Sequence, residues 1–141
     1  MPTLLLALFV FLTAAVLPAQ VVPVTRSGCP DAPAPAVRGE PRIGERFAVV
    51  APPCRSALGH EFVLLGVPAR PLNLGALGCA RQCLLAVRPF DLFRDAWIVT
   101  IPRDRSLVGT TMRAQAGCVE IARRNACIRL SIALDVTVMR P

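Results

Sequence analysis

The sequence predicts an all-β chain, a single antiparallel β-sandwich of Ig-like or jelly-roll-like type, with about six to eight short strands tied by disulfides. Three observations carry that prediction. Over residues 128–139, Ile128, Leu130, Ile132, Leu134, Val136 and Val138 occupy every second position, with Arg129, Ser131, Ala133, Asp135 and Thr137 between them. This is the period of a half-buried strand, and at about 100° per residue the same side chains would scatter around a helix. Pro and Gly punctuate the remaining apolar runs at short intervals, which suits a sandwich better than βαβ units. Six cysteines in 141 residues supply the cross-links.

Residues 1–24 carry no charged side chain, and the run 4–16 is apolar apart from Thr13. That run, followed by small residues at Ala14, Ala15 and Ala19, predicts a signal peptide over residues 1–19, cleaved near Ala15 or Ala19. Pro18 and Gln20 interrupt the stretch of about twenty apolar residues that a membrane span requires. Membrane association is therefore expected only if this segment stays uncleaved. Residues 20–42 contain Pro23, Pro30, Pro33, Pro35 and Pro41 and are expected to form an extended lead-in. Residues 43–141 then form the sandwich domain.

Within that domain, residues 47–50 read as a short strand ended by Pro52 and Pro53. Residues 61–67 read as the next, and their consecutive Phe62, Val63, Leu64 and Leu65 suit a strand covered on both faces. Gly66, Pro68 and Pro71 are expected to break it. Residues 72–77 form a candidate edge segment, and residues 83–87 a compact strand ending at Pro89. Residues 90–95 fit either a helical turn or a loop carrying two buried aromatics. In residues 96–101, Trp97, Val99 and Ile101 share one face and Ile98 takes the other. After Pro102 a polar crossover tucks in Leu107 and Val108 before a strand over residues 110–116. A turn at residues 123–126 would then pair two strands in a hairpin, with a short helix across residues 120–124 as the alternative.

Cys29, Cys54, Cys79, Cys83, Cys118 and Cys127 all follow the predicted signal peptide. An even number of cysteines in an exported chain reads as three disulfides, and sequence leaves about fifteen pairings open. The hairpin turn at residues 123–126 would place Cys118 close to Cys127. No metal site is expected: Cys79 and Cys83 are four apart, and His60 is the single histidine.

The chain has a net charge of +7, and all 16 basic residues are Arg. Such a field concentrates anionic partners. Arg103, Arg105, Arg113, Arg123, Arg124 and Arg129, with Arg140, could gather on one face and contact polysaccharide, lipopolysaccharide or nucleic-acid anions. One Trp and no Tyr leave out the stacking platforms of single-strand nucleic-acid binders. Catalytic groupings are sparse. His60 and Glu61 are adjacent and would diverge on a strand, and Ser106 and Ser131 have no second histidine to activate them. Asp91 and Asp95 are expected to form salt bridges with Arg88 and Arg94.

Several ordered features, Gly28-Cys29-Pro30, Pro41-Arg42-Ile43-Gly44-Glu45-Arg46-Phe47, Phe62-Val63-Leu64-Leu65-Gly66, Pro71-Leu72-Asn73-Leu74-Gly75, Ile101-Pro102-Arg103-Asp104-Arg105-Ser106-Leu107-Val108-Gly109 and Ser131-Ile132-Ala133-Leu134-Asp135-Val136, make residues 28–139 similar to the short secreted β-modules of planctomycete-type bacteria. The resemblance implies an extracellular all-β module with no assigned activity, so it transfers no catalytic residue. It also implies a Cys29–Cys83 bridge. The four further cysteines depart from the pattern and would add Cys54–Cys79 and Cys118–Cys127. The expected function is thus a secreted or envelope-located structural or interaction module, without catalysis or cofactor, for an unknown protein or envelope polymer. A basic polyanion-binding module is the alternative, and a small secreted hydrolase the third reading.

Overall fold

Eight strands form where apolar runs meet Pro and Gly punctuation, in a computed structural model that describes residues 20–122 and 125–141. The signal peptide expected over residues 1–19, and Arg123 and Arg124, lie outside the described residues. The strands are β1 (Val21–Pro23), β2 (Ala36–Arg38), β3 (Arg46–Val50), β4 (His60–Asn73), β5 (Leu84–Arg94), β6 (Ala96–Thr100), β7 (Thr111–Ala122) and β8 (Asn125–Thr137). They form two antiparallel sheets, a large one ordered β1-β8-β7-β4-β5 and a small one ordered β2-β3-β6. This is the all-β sandwich that the strand periodicity predicts.

The core lies between the sheets. Phe47, Val49, Trp97 and Ile101 from the small-sheet side meet Val63, Leu65, Ala114, Ala116, Leu134 and Val136 from the large sheet. Phe47 and Trp97 pack edge to face with centroids 5.8 Å apart, a favourable alignment of ring quadrupoles. As the alternation in β6 predicts, Trp97 and Ile101 are buried while Ile98 is 52% exposed. The chain passes from the large sheet to the small one between Arg94 and Ala96, and Asp95 makes the corner in the left-handed region at φ 62°. Asp is among the few non-glycine residues that tolerate it.

Residues 20–42, expected to form an extended lead-in, combine two short strands with turns and are integral to the fold. β1 pairs with β8 and β2 with β3, so this stretch edges both sheets.

Several predicted strand ends do not stop the chain. β5 continues through Pro89 because it is an edge strand, where a missing N–H breaks no required ladder bond. Residues 90–94 are consequently strand, not a helical turn or loop, with Phe90 64% exposed and Phe93 against the core. β4 likewise runs through Gly66, Pro68 and Pro71. These residues deform it instead, shifting its register with β5 between Leu65 and Gly66 and again between Pro68 and Leu72. A Cβ at Gly66 would collide with the Arg88 carbonyl, so only glycine admits this close crossing. β7 also continues through Gly117 to Ala122.

The largest correction concerns β8. Gln115 lies opposite Ala133 and Gly117 opposite Leu130, so Ser131 and Ile132 together face Ala116. This is a β-bulge, and one extra residue reverses the facing of everything beyond it. The six alternating apolar residues therefore do not share one face: Leu134, Val136 and Val138 enter the sandwich core, while Ile128 and Leu130 join a second cluster outside it.

The three disulfides are Cys29–Cys83, Cys54–Cys118 and Cys79–Cys127. The first is the bridge the resemblance implies; the expected Cys118–Cys127 and Cys54–Cys79 pairs are not formed. The β7–β8 hairpin does exist, but its register sets Glu120 opposite Cys127 and Cys118 opposite Arg129. Diagonal neighbours of this kind lie about 7–8 Å apart, beyond ordinary disulfide reach. Cys79 instead docks along the edge of β8, its N–H donating to the Ile128 carbonyl. Cys54 sits in the loop over Glu61 and Glu120 and meets Cys118 there.

Candidate functional site

Reversal at the bulge leaves apolar residues on the side of the large sheet away from the small one. Ile128 and Leu130 of β8, Val119 of β7, Phe62 and Leu64 of β4 and Leu92 of β5 line an open groove of about 520 Å³ there. The deformed β4–β5 hairpin curls back over this face and adds Leu74 and Leu85. Beneath them the Cys29–Cys83 bridge packs with Leu130, so a disulfide replaces a second sheet as the support of this cluster. Leu92 remains 63% exposed at the mouth. A concave, mainly apolar lining with a few polar groups at one end is the usual make-up of a ligand site.

Polar clamps hold the curled hairpin in place. Gln115 is fully buried; its Oε1 accepts from the Ala86 N–H at 2.9 Å, and its Nε2 donates to the Leu84 and Ser131 carbonyls at 2.9 and 3.0 Å. One side chain thereby ties β5 to β8 across β7, with both of its N–H donors and its carbonyl oxygen engaged by backbone groups. Beside it, Arg113 makes a two-pronged contact with Asp135 at 2.6 and 2.9 Å and donates to the Ala69 and Ala86 carbonyls. The fork of the guanidinium suits this double task.

At the end of the groove, exposed His60 and Arg94 stand on the rim. His60 and Glu61 diverge as expected for strand neighbours: the Glu61 carboxylate accepts from the Cys54 N–H at 2.9 Å, which holds its pKa below the usual range. The adjacent loop is anchored by Glu120. Its oxygens accept from the Arg55 and Ser56 N–H groups at 3.0 and 2.8 Å, and Arg129 lies 3.4 Å away. Burial pushes the Glu120 carboxyl up, but these donors outweigh burial and leave it lowered. Asp31 bridges Arg129 and Arg55, and the hydrogen bond from Arg129 chiefly holds its carboxyl down.

Arg123 and Arg124 of the arginines read as a polyanion set lie outside the described residues, and the others are spread apart. Arg113 and Arg129 are engaged in the ion pairs just described, on opposite faces of the large sheet. Arg103 and Arg105 lie with Arg140 near Ile43 and Pro141, beside adjoining clefts at another end of the molecule. Asp91 and Asp95 form no ion pair with Arg88 or Arg94; Asp91 instead accepts from the Leu92 N–H at 2.8 Å. Among the described residues no three His, Cys, Asp or Glu side chains gather as metal ligands, and all six cysteines are paired.

Sequence reasoning missed the groove, although one signal for it was present. The unbroken run Phe62-Val63-Leu64-Leu65 indicates a strand covered on both faces: Val63 and Leu65 supply the sandwich core, and Phe62 and Leu64 supply the groove. Compared with known proteins, the chain matches no family model, no curated protein and no solved structure.

Proposed function

We propose that this chain is an exported, non-catalytic interaction module whose binding face is the apolar groove on the large sheet. The observation that carries this reading is the groove itself: apolar side chains from four strands, held open to solvent by a buried Gln clamp and a disulfide. Keeping such a surface wet costs about 25 cal/mol per Å² of apolar area, and a ligand recovers it. Three disulfides and the apolar N-terminal run support an oxidising, secreted or envelope location. Titration of the oxidised protein with an apolar fluorescent probe such as an anilinonaphthalene sulfonate, followed by amide chemical shifts, tests the reading. Shifts are expected at Phe62, Leu64, Leu85, Leu92, Val119 and Leu130. Probe binding elsewhere, or only after reduction, overturns it.

A second reading, polyanion binding, draws support from Arg103, Arg105 and Arg140 around the Ile43 end. Retention on heparin that is lost at moderate salt, and weakened by Arg103→Gln with Arg105→Gln, would support it. Indifference to heparin would exclude it.

A further inference from the structure

We propose that the groove takes a single-chain anionic amphiphile, a monomeric fatty acid or equivalent acyl anion, with its head at Arg94 and His60 and its chain along Phe62, Leu64, Leu92 and Leu130. This occupant rests on the binding face proposed above and adds a chemistry to it.

The groove has two unlike ends. Arg94 lies directly opposite Phe62 in the β4–β5 register, and His60 is two residues along β4. Both therefore project from the same side as Phe62 and Leu64. Both are exposed, and Arg94 forms no ion pair among the described residues. None of the neighbouring carboxylates, Glu61, Asp91 and Asp95, forms an ion pair with Arg94. Glu61 also borders the groove at this end, but strand alternation turns its carboxylate to the other face, where it accepts from the Cys54 N–H. Apart from His60, Arg94 and the neighbouring Glu61, every residue that lines the groove is apolar, so one polar end with two basic side chains adjoins an apolar trough.

Backbone chemistry selects an acyl chain over a peptide. The groove lies on the face of a sheet, where β4 and β7 are flanked by strands on both sides and the Leu130 and Ile128 carbonyls of β8 accept from the Cys29 and Cys79 N–H groups, so these ladder groups already have partners. An extended peptide laid there would bury amides without partners, at a cost that a hydrocarbon chain does not incur. A volume of about 520 Å³ falls within the range of small-molecule sites, roughly 300–1,000 Å³. The net charge of +7 further favours an anionic head over a cationic one.

Calorimetric titration of the oxidised protein with octanoate, decanoate and dodecanoate, each below its micelle concentration, provides the test. Dodecanol and dodecyltrimethylammonium serve as neutral and cationic counterparts. Saturable 1:1 binding of dodecanoate is expected, tightening from octanoate onward by up to roughly 4-fold per methylene. Arg94→Gln should weaken dodecanoate roughly 3- to 10-fold and leave dodecanol unchanged; Leu92→Asp should abolish both. Dodecanol or dodecyltrimethylammonium binding as tightly as dodecanoate would overturn the anionic occupant and leave the apolar binding face standing. Absence of binding by all three amphiphiles to folded protein would overturn both. Binding to phosphatidylglycerol vesicles without binding of monomeric dodecanoate would identify a membrane surface as the occupant and equally overturn the proposal.

Discussion

Replacing Gln115 with Leu removes the clamp while nearly conserving volume. Three groups lose a partner: the Ala86 N–H, the Leu84 carbonyl and the Ser131 carbonyl. The Leu84 carbonyl keeps a donor, because the Gly28 N–H also reaches it at 2.8 Å. Ala86 has no such reserve; it falls where the β4–β5 register slips, between Leu85 opposite Leu72 and Val87 opposite Pro68. Two buried groups are thus left short, each at about 1–3 kcal/mol. Burial of the added apolar surface returns about 1 kcal/mol, and the net loss comes to about 3 kcal/mol. With a urea m-value of about 2 kcal/mol/M for a chain of this size, the unfolding midpoint should fall by about 1.5 M. Urea denaturation of the oxidised protein measures this directly, and amide exchange at Ala86 should accelerate more than exchange at Phe47 in the opposite sheet. A loss below about 0.5 kcal/mol, with both amides unchanged, would refute the view that Gln115 holds the hairpin on the sheet.

Three other outcomes follow from the same structure. Peptide mapping without reduction should recover Cys29–Cys83, Cys54–Cys118 and Cys79–Cys127 as linked pairs; any Cys118–Cys127 peptide in native protein would contradict the β7–β8 register. Removing Cys79–Cys127 by paired Ser substitution opens a 48-residue separation and should cost about 4 kcal/mol in thermal or denaturant unfolding. Glu120 and Glu61 have lowered carboxyl pKa values in the fold, so their contribution is complete above the unfolded value near ~4.3 and is lost as pH falls through the folded value. Glu120→Gln should therefore flatten the acid limb of the stability profile, and an unchanged limb would rule out Glu120 as an acid-labile anchor.

Fold class was legible because the period-two pattern and the Pro and Gly punctuation are local signals. In β6 even the facing of Trp97, Ile98 and Ile101 could be read directly. β8 shows where that reading stops: its alternation is regular in sequence, yet the bulge at Ser131 and Ile132 depends on pairing with β7 and on Ser131 Oγ donating to the Ala116 carbonyl at 2.9 Å. No pattern within residues 128–139 encodes that event. The expected Cys118–Cys127 pair failed for a related reason, since a register difference of two residues separates neighbours from bonded partners. Pro89 was misread because Pro ends central strands but not edges, and edge position is a property of the assembled sheet. The groove inherits all of these dependencies, requiring the bulge, the curled hairpin and the Cys29–Cys83 bridge together.

The outer side of β8 is closed piecemeal. Gln20 and Val24, then Cys29, then Cys79 bond in turn to Thr137, Ala133, Leu130 and Ile128. Cys29 and Leu130 are 101 residues apart, so these closures belong to the slowest class of folding events, in which distant segments must meet before any contact rewards them. Until they do, β8 presents unpaired backbone N–H and C=O groups beside apolar side chains, an edge on which other molecules could template. Two of the three covering pieces carry cysteines, and the Cys29–Cys83 and Cys79–Cys127 bridges tether those pieces to the folded sheet. Refolding yield should consequently decline with protein concentration far more steeply for reduced than for oxidised chains.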